Sequence, residues 1–213
     1  MENIIYDSSG FNNNGTIVNN LTINPDAIKY NCSTKFIANS YIRVNKKPSV
    51  CLPKDAITVN FWAKTTTWGN PISCTEGGGW NIENGSSGLR FPVYISSVGY
   101  KYQDTTTTVA SLNGAWHMIT GTMDKDNVKT YIDGELKSTV ATGSTNGIGY
   151  ANNYLFINAE AAGDTTSPAS ASRVGSLSDI RIYATALSAD DIKELYRNSK
   201  IASGSTIKPR DLE

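Results

Sequence analysis

Residues 116–140, WHMITGTMDKDNVKTYIDGELKSTV, constrain the chain more than any other stretch, because their punctuation allows only a meander of three antiparallel strands. Asp133-Gly134 reads as a two-residue hairpin turn. A type I′ turn needs positive φ at both central residues, and Asp-Gly tolerates that. Asp124-Lys125-Asp126-Asn127 reads as a polar loop joining the first two strands. With Met123 opposite Val128 across that loop, Ile119, Met123, Val128 and Ile132 share one apolar face. Thr120, Thr122, Lys129 and Tyr131 then fall on the other, so the expected strand set is dry on one side and polar on the other.

The rest of the chain follows the same rhythm. Asn and Gly interrupt runs of four to eight residues, a spacing that favours a sandwich or barrel over βαβ units. Ala56–Lys64 alternates cleanly, with Ile57, Val59, Phe61 and Ala63 on one side and Thr58, Asn60, Trp62 and Lys64 on the other. It is expected to be a central strand. Shorter strands are read at Thr16–Val18, Lys35–Ile37, Tyr41–Val44, Leu89–Ile95, Val98–Tyr102, Tyr154–Ile157 and Leu177–Tyr183. Residues 65–88 read as loop, and Ala159–Ser172 as a small-residue excursion. One helix is predicted over Ser188–Asn198. Ser188 caps it with Asp191 three residues on, Leu187 and Ile192 occupy staple positions, and Ile192, Leu195 and Tyr196 form the buried stripe.

With 213 residues the chain can bury a sizeable core, and an all-β sandwich of this length is expected as a single domain, 1–200, followed by a tail or linker, 201–213. A net charge of +0 gives no reason to expect nucleic acid or an anionic membrane surface as partner. No apolar run is long enough for a membrane span, and MENIIYDSSG does not read as a secretory leader. The three cysteines, Cys32, Cys51 and Cys74, lack zinc-site spacing and are expected as reduced thiols in or near the core, with a Cys32–Cys51 disulfide left open.

Four segments, in order, resemble the LamG-like jelly rolls of the concanavalin A-like superfamily: Asp7-Ser8-Ser9-Gly10 with Asn13-Asn14-Gly15, Ile57–Lys64, Trp116-His117 with Tyr131–Leu136, and Ile180–Tyr183 through Leu187-Ser188. The resemblance implies an all-β, two-sheet antiparallel jelly-roll sandwich with one short C-terminal helix. It also implies a strand ahead of Asp7, for which Asn3–Tyr6 are the residues at hand. In detail, GGGWNIE, WHMITGT and SDIRIYATALSADDIKELY look most like modules of phage tail and fibre proteins, and are similar to bacterial surface proteins. That resemblance implies a virion or extracellular setting and allows a homo-oligomer formed through a parent protein.

Catalysis finds little in the sequence. Retaining glycoside hydrolysis needs two carboxylates about 5 Å apart, and no strand carries the ExDxxE pattern of the superfamily's hydrolases; Glu76 and Glu83 lie in a region read as loop. His117, the only histidine, reads as structural. Recognition is the expectation instead, with a cell-surface glycan as the partner. Sugars offer flat C–H faces and fans of hydroxyls, so their sites combine aromatic platforms with amide and backbone groups. Trp80 and Trp68 are the expected centre, with Tyr100, Tyr102, Asn152 and Asn153 around them; the other reading of the indoles has them closing the ends of the core. A structural Ca2+ held by Asp7, Asn12, Asn14 and Asp179 is a further expectation, set against these side chains simply satisfying their own turns. A structural module that mediates assembly and has no ligand of its own is the alternative to recognition.

Overall fold

A computed structural model describes residues 3–25, 33–51, 53–163, 165–171 and 175–204. In chain order the first strands are β1 (Ile4–Ile5), β2 (Gly15–Val18), β3 (Leu21–Asn24), β4 (Ser33–Phe36) and β5 (Tyr41–Val44), followed by a single turn of helix, α1 (Pro48–Cys51). Next come β6 (Ile57–Thr65), β7 (Ile72–Cys74), β8 (Trp80–Asn84), β9 (Leu89–Arg90), β10 (Val93–Ile95) and β11 (Gly99–Lys101). The meander is β12 (His117–Met123), β13 (Asn127–Ile132) and β14 (Glu135–Ala141). The chain continues with β15 (Leu155–Ile157), β16 (Ala159–Glu160), β17 (Ser170–Ala171), β18 (Gly175–Tyr183) and α2 (Ala189–Gly204).

All strands but β16 and β17, which pair with each other, form two antiparallel sheets. One runs β1-β2-β5-β15-β7-β8-β10-β11, with β9 against β8; the other runs β14-β13-β12-β6-β18-β4-β3. Sequence expectation and structure agree on the meander: Met123 pairs with Val128 and Ile119 with Ile132, and the turn has φ of 54° at Asp133 and 81° at Gly134. β6 is central, between β12 and β18. Between the sheets, Val59, Phe61, Ile119, Met123 and Ile132 meet Trp80, Ile82, Phe91 and Ile95 in one core. Burying each such side chain stabilises by roughly 1.5–3 kcal/mol. The Phe91 ring lies so close over Gly121 that a Cβ there would fall 2.4 Å from it.

Several expectations need correction. Residues 65–88 are not loop throughout but contain β7 and β8. The helix does not stop near Asn198 but runs to Gly204, so residues 201–204 belong to it; residues 205–213 of the expected tail lie outside the described residues. Cys32 lies outside them too, and with it the question of a Cys32–Cys51 bridge; Cys74 is buried in the core.

The largest correction concerns the face of the meander read as polar. Thr58, Asn60, Trp62, Thr120, Thr122 and Tyr131 are all buried there. The cause is α2, whose apolar stripe needs a partner and finds it on the back of this sheet: Ile192, Leu195 and Tyr196 pack on Trp62, Met118 and Tyr131. The Trp62 and Tyr196 rings stack with centroids 5.6 Å apart, at 16°. Several polar groups beneath are paired with one another or with the segment entering the helix, while Asn60 Oδ1 and the Trp62 indole N–H have no hydrogen-bond partner among the described residues. Asn60 Nδ2 donates to Thr120 Oγ1 at 2.7 Å, Thr58 Oγ1 donates to the Thr185 carbonyl, and Leu187 N–H donates to Thr58 Oγ1. The cap is formed as expected, with Asp191 N–H donating to Ser188 Oγ and Ser188 N–H returning to the Asp191 carboxylate. Among the described residues no helix is long and apolar enough to cross a membrane.

Trp62→Ala is expected to cost about 3–5 kcal/mol, as loss of a large buried aromatic does. Hydrogen exchange should show the amides of residues 189–199 losing protection before those of β6 and β12 do.

Candidate functional site

The outer face of the first sheet has two halves. Over β2, β5, β15 and β7 it is covered by the excursion 159–171, whose small residues let it lie flat. Ala159 and Ala161 pack on Tyr41 and Phe156, Ala161 N–H donates to Ser73 Oγ at 3.1 Å, and Arg43 Nη1 donates to the Thr166 carbonyl. Over β8, β10 and β11 no such excursion lies among the described residues, and Tyr94 and Tyr100 are partly exposed there. Alternation along these strands sends Trp80, Ile82, Val93 and Ile95 inward, and Asn81, Glu83, Tyr94 and Tyr100 outward. Tyr94 pairs with Tyr100 in register, their rings edge to face at 5.1 Å.

Beside the tyrosines lies a fixed polar cluster. Arg90 Nε donates to Glu83 Oε1 at 2.6 Å, its Nη1 lies 3.6 Å from Asp104, and its guanidinium carbon sits 4.2 Å over the Tyr102 ring. Asn81 Nδ2 donates to Glu83 Oε2 and to Asn70 Oδ1, while Asn81 Oδ1 has no partner in the protein although the residue is buried. Burial opposes ionisation of Asp104, but the Ser87 N–H, the Ser86 hydroxyl and Arg90 outweigh it and hold the carboxyl below its ordinary value. Glu83 is therefore bound up in an ion pair with Arg90.

The glycine loop between β7 and β8 joins this face to a second surface. Tyr100 Oη donates to the Gly78 carbonyl at 3.1 Å and accepts from the Gly78 N–H. Burial, with Glu76 and Glu83 nearby, pushes the Tyr100 phenol above its ordinary value. On the other side of the loop, Gly79 N–H donates to the Gly149 carbonyl and Asn153 Nδ2 to the Glu76 carbonyl. A cleft of about 290 Å³ opens there between Lys46 and Lys47 on one wall and Tyr150–Asn153 on the other.

Of the expected site residues, Tyr100 and Tyr102 stand on the tyrosine face, 38% and 44% exposed, and Asn152 and Asn153 line the cleft. The two indoles expected at the centre do not. Trp80 is 0% exposed and Trp68 6%; both belong to the core. The reason lies in the glycines. A Cβ on Gly79 would fall 1.9 Å from the Cys74 carbonyl oxygen, and one on Gly78 would fall 2.6 Å from that of Gly149. The glycines thus let backbone meet backbone in a tight hairpin that turns Trp80 inward, onto Phe91 at 6.3 Å. Sequence reading missed Tyr94, Asn81 and Arg90. Alternation from Val93 would have put Tyr94 outward, but Asn81 and Arg90 become part of a site only through cross-strand neighbours.

Both carboxylates among the expected calcium donors accept hydrogen bonds within the protein. The Asp179 carboxylate accepts from both Nε and Nη2 of Arg181. The Asp7 carboxylate accepts from the backbone N–H groups of Ser9 and Asn13 and from the Ser9 hydroxyl, and Asn14 Oδ1 accepts from Asp7 N–H. The Asn12 carbonyl accepts from the Lys47 ammonium, a poor neighbour for a cation. Among the described residues, no three His, Cys, Asp or Glu side chains gather at metal-binding distances. His117 is held in the meander turn, Nδ1 2.7 Å from the Asp133 carboxylate.

Fold and surface together define a β-sandwich module that offers an aromatic and amide surface on one sheet edge. The chain belongs to the Laminin_G_3 family of the concanavalin A-like lectin/glucanases superfamily, which it matches over residues 36–193. No curated protein matches it in sequence. Among solved structures it is similar to the binding domain of Paraclostridial Mosquitocidal Protein 1, with a TM-score of 0.72 and 17% identity over 91% of this chain and 49% of that one. It is similar also to botulinum neurotoxin type C, whose passage into cells depends upon interaction with two ganglioside molecules (0.68, 18%, 91% and 48%). A third is the binding domain of botulinum neurotoxin DC, seen with rat synaptotagmin II (0.69, 17%, 91% and 48%). The chain spans about half the length of these structures.

Trp80→Ala is expected to lower stability by about 3–5 kcal/mol in chemical denaturation, as removal of a buried indole does; a stable variant that lost only binding would return Trp80 to the surface. If calcium joins the Asp7 turn to Asp179, EDTA is expected to lower the melting temperature, as loss of a native-state ligand does, and an unchanged melt would remove that expectation.

Proposed function

We propose that the chain is a non-catalytic recognition module that binds glycan on the uncovered half of its first sheet. The observation that carries this is the row Tyr94, Tyr100 and Tyr102 beside Asn81, Arg90 and Glu83. It provides aromatic faces for sugar C–H surfaces and rigid, bonded polar groups for hydroxyls. The excursion 159–171 bounds the surface on one side and the glycine loop on another, so a saccharide has an edge to lie against. The gangliosides and the protein receptor of the similar toxin structures support a surface built for recognition. A phage tail or a bacterial cell surface is the setting in which such a module would work, as the sequence resemblance suggests.

A glycan array with the purified chain is the direct test, followed by Tyr102→Ala on any hit. Losing one stacked aromatic is expected to weaken binding by about 1–3 kcal/mol, by analogy with bases on aromatic side chains, without lowering the melting temperature. An array without hits, or a hit indifferent to Tyr102 and Tyr100, would remove this reading.

The second reading, an assembly module, draws on one observation: Tyr6 and Phe11 are exposed on either side of the Asp7 turn. Light scattering coupled to size exclusion would show a concentration-dependent oligomer that Phe11→Ser disperses.

A further inference from the structure

We propose that the tyrosine face selects amino sugars, glycans that carry a free ammonium, over neutral sugars and still more over acidic ones. This rests on the glycan-binding reading and names the class of glycan for it.

The residues concerned share one side of the sheet. Tyr94 pairs with Tyr100, Val93 with both Lys101 and Trp80, and Glu83 with Arg90. Alternation from these pairs puts Asn81, Glu83, Arg90, Tyr94, Tyr100 and Tyr102 on the outer side together. Lys101, the charged residue of β11, alternates to the opposite side and reaches Gly143.

The charges on that side do not balance. Arg90 stands between two carboxylates, Glu83 at 2.6 Å and Asp104 at 3.6 Å, so one guanidinium answers two negative charges. Glu76 adds a third, exposed and in no ion pair among the described residues. Its charge reaches the face: the Tyr100 phenol is pushed above its ordinary value by burial first, and then by Glu76 and Glu83. Three carboxylates and one guanidinium leave a negative potential over the tyrosines, which draws cations.

The hydrogen-bonding groups lean the same way. Asn81 Nδ2 donates to Glu83 Oε2 at 2.8 Å and to Asn70 Oδ1 at 3.1 Å, which fixes the amide with its oxygen as the remaining acceptor. Asn81 is 4% exposed, and that oxygen has no donor among the described residues. A buried acceptor calls for a donor. Tyr100 Oη is engaged in both directions by Gly78, so its ring is what it offers. Acceptors and ring faces suit an ammonium, which has three N–H donors, no acceptor, and an attraction to aromatic faces. Arg90 shows that attraction within the protein, its guanidinium carbon 4.2 Å over the Tyr102 ring. A sugar carboxylate meets carboxylates where it needs donors, and is rejected.

Isothermal titration of the whole chain with trisaccharides of glucosamine, N-acetylglucosamine and mannuronate tests this, at mildly acidic pH where amines are protonated and carboxylates ionised. The glucosamine trimer should bind at least about fivefold tighter than the N-acetylglucosamine trimer, and the mannuronate trimer at least about fivefold more weakly than it. Both gaps should narrow as salt screens the charges. Glu76→Lys, at an exposed position, should cut the preference for glucosamine over N-acetylglucosamine by about threefold or more. Tyr102→Ala should weaken whichever trimers bind. A glycan array without hits, or trimers that bind indifferently to Tyr102 and Tyr100, would remove the glycan-binding reading and the selectivity with it. Array hits without glucosamine-trimer binding, mannuronate as tight as glucosamine through Tyr102, or a preference unmoved in Glu76→Lys would each overturn the selectivity alone.

Discussion

The structure depends on what Asp133 does at the turn of the meander. Its backbone takes the left-handed conformation, and its carboxylate accepts the Met118 N–H at 2.9 Å while meeting His117 Nδ1 at 2.7 Å. One side chain thus closes the β13–β14 hairpin and ties it to the first turn of β12. Register follows from that, because slipping a strand by one residue would exchange its core and outer faces. Gly134 extends the same point outward: a Cβ there would lie 3.2 Å from Tyr196 Cβ, so the turn is also where α2 rests.

With register fixed, each sheet has an inner face in the common core and an outer face that must be covered or left wet. The second sheet covers its outer face with α2, through Trp62, Met118 and Tyr131. The first covers half of its own with the excursion 159–171, and among the described residues no such excursion covers the strip over β8, β10 and β11, where Tyr100 is exposed. That remainder is the surface proposed for glycan binding. A rigid sandwich supplies position and its outer surface supplies chemistry, so fold membership alone does not name the ligand.

The glycine loop shows how one local constraint serves both surfaces. Three consecutive positive-φ glycines bring β7 and β8 into close backbone contact. Tyr100 is thereby hydrogen-bonded to the loop from one side, and the 149–153 segment from the other. The tyrosine face and the lysine cleft are neighbours across a single tight turn, each held by backbone that has little freedom to move.

By itself the sequence determined what depends on local chemistry and short periods. The Asp-Gly turn, the pairing of Met123 with Val128, the alternation of Ile57–Ala63 and the Ser188–Asp191 cap are all written in neighbouring residues, and the family resemblance followed from them. Tyr100 and Tyr102, singled out because they lie in or next to expected loops, are exposed. What tertiary structure decided is which faces are covered. Trp80 and Trp62 look identical to surface indoles in sequence, and they are buried because Gly79 admits a backbone carbonyl and because α2 crosses the back of β6. Asn81, Arg90 and the Lys46–Asn153 cleft join residues from separate strands and loops, and distances of that kind exist only once the two sheets have closed on each other.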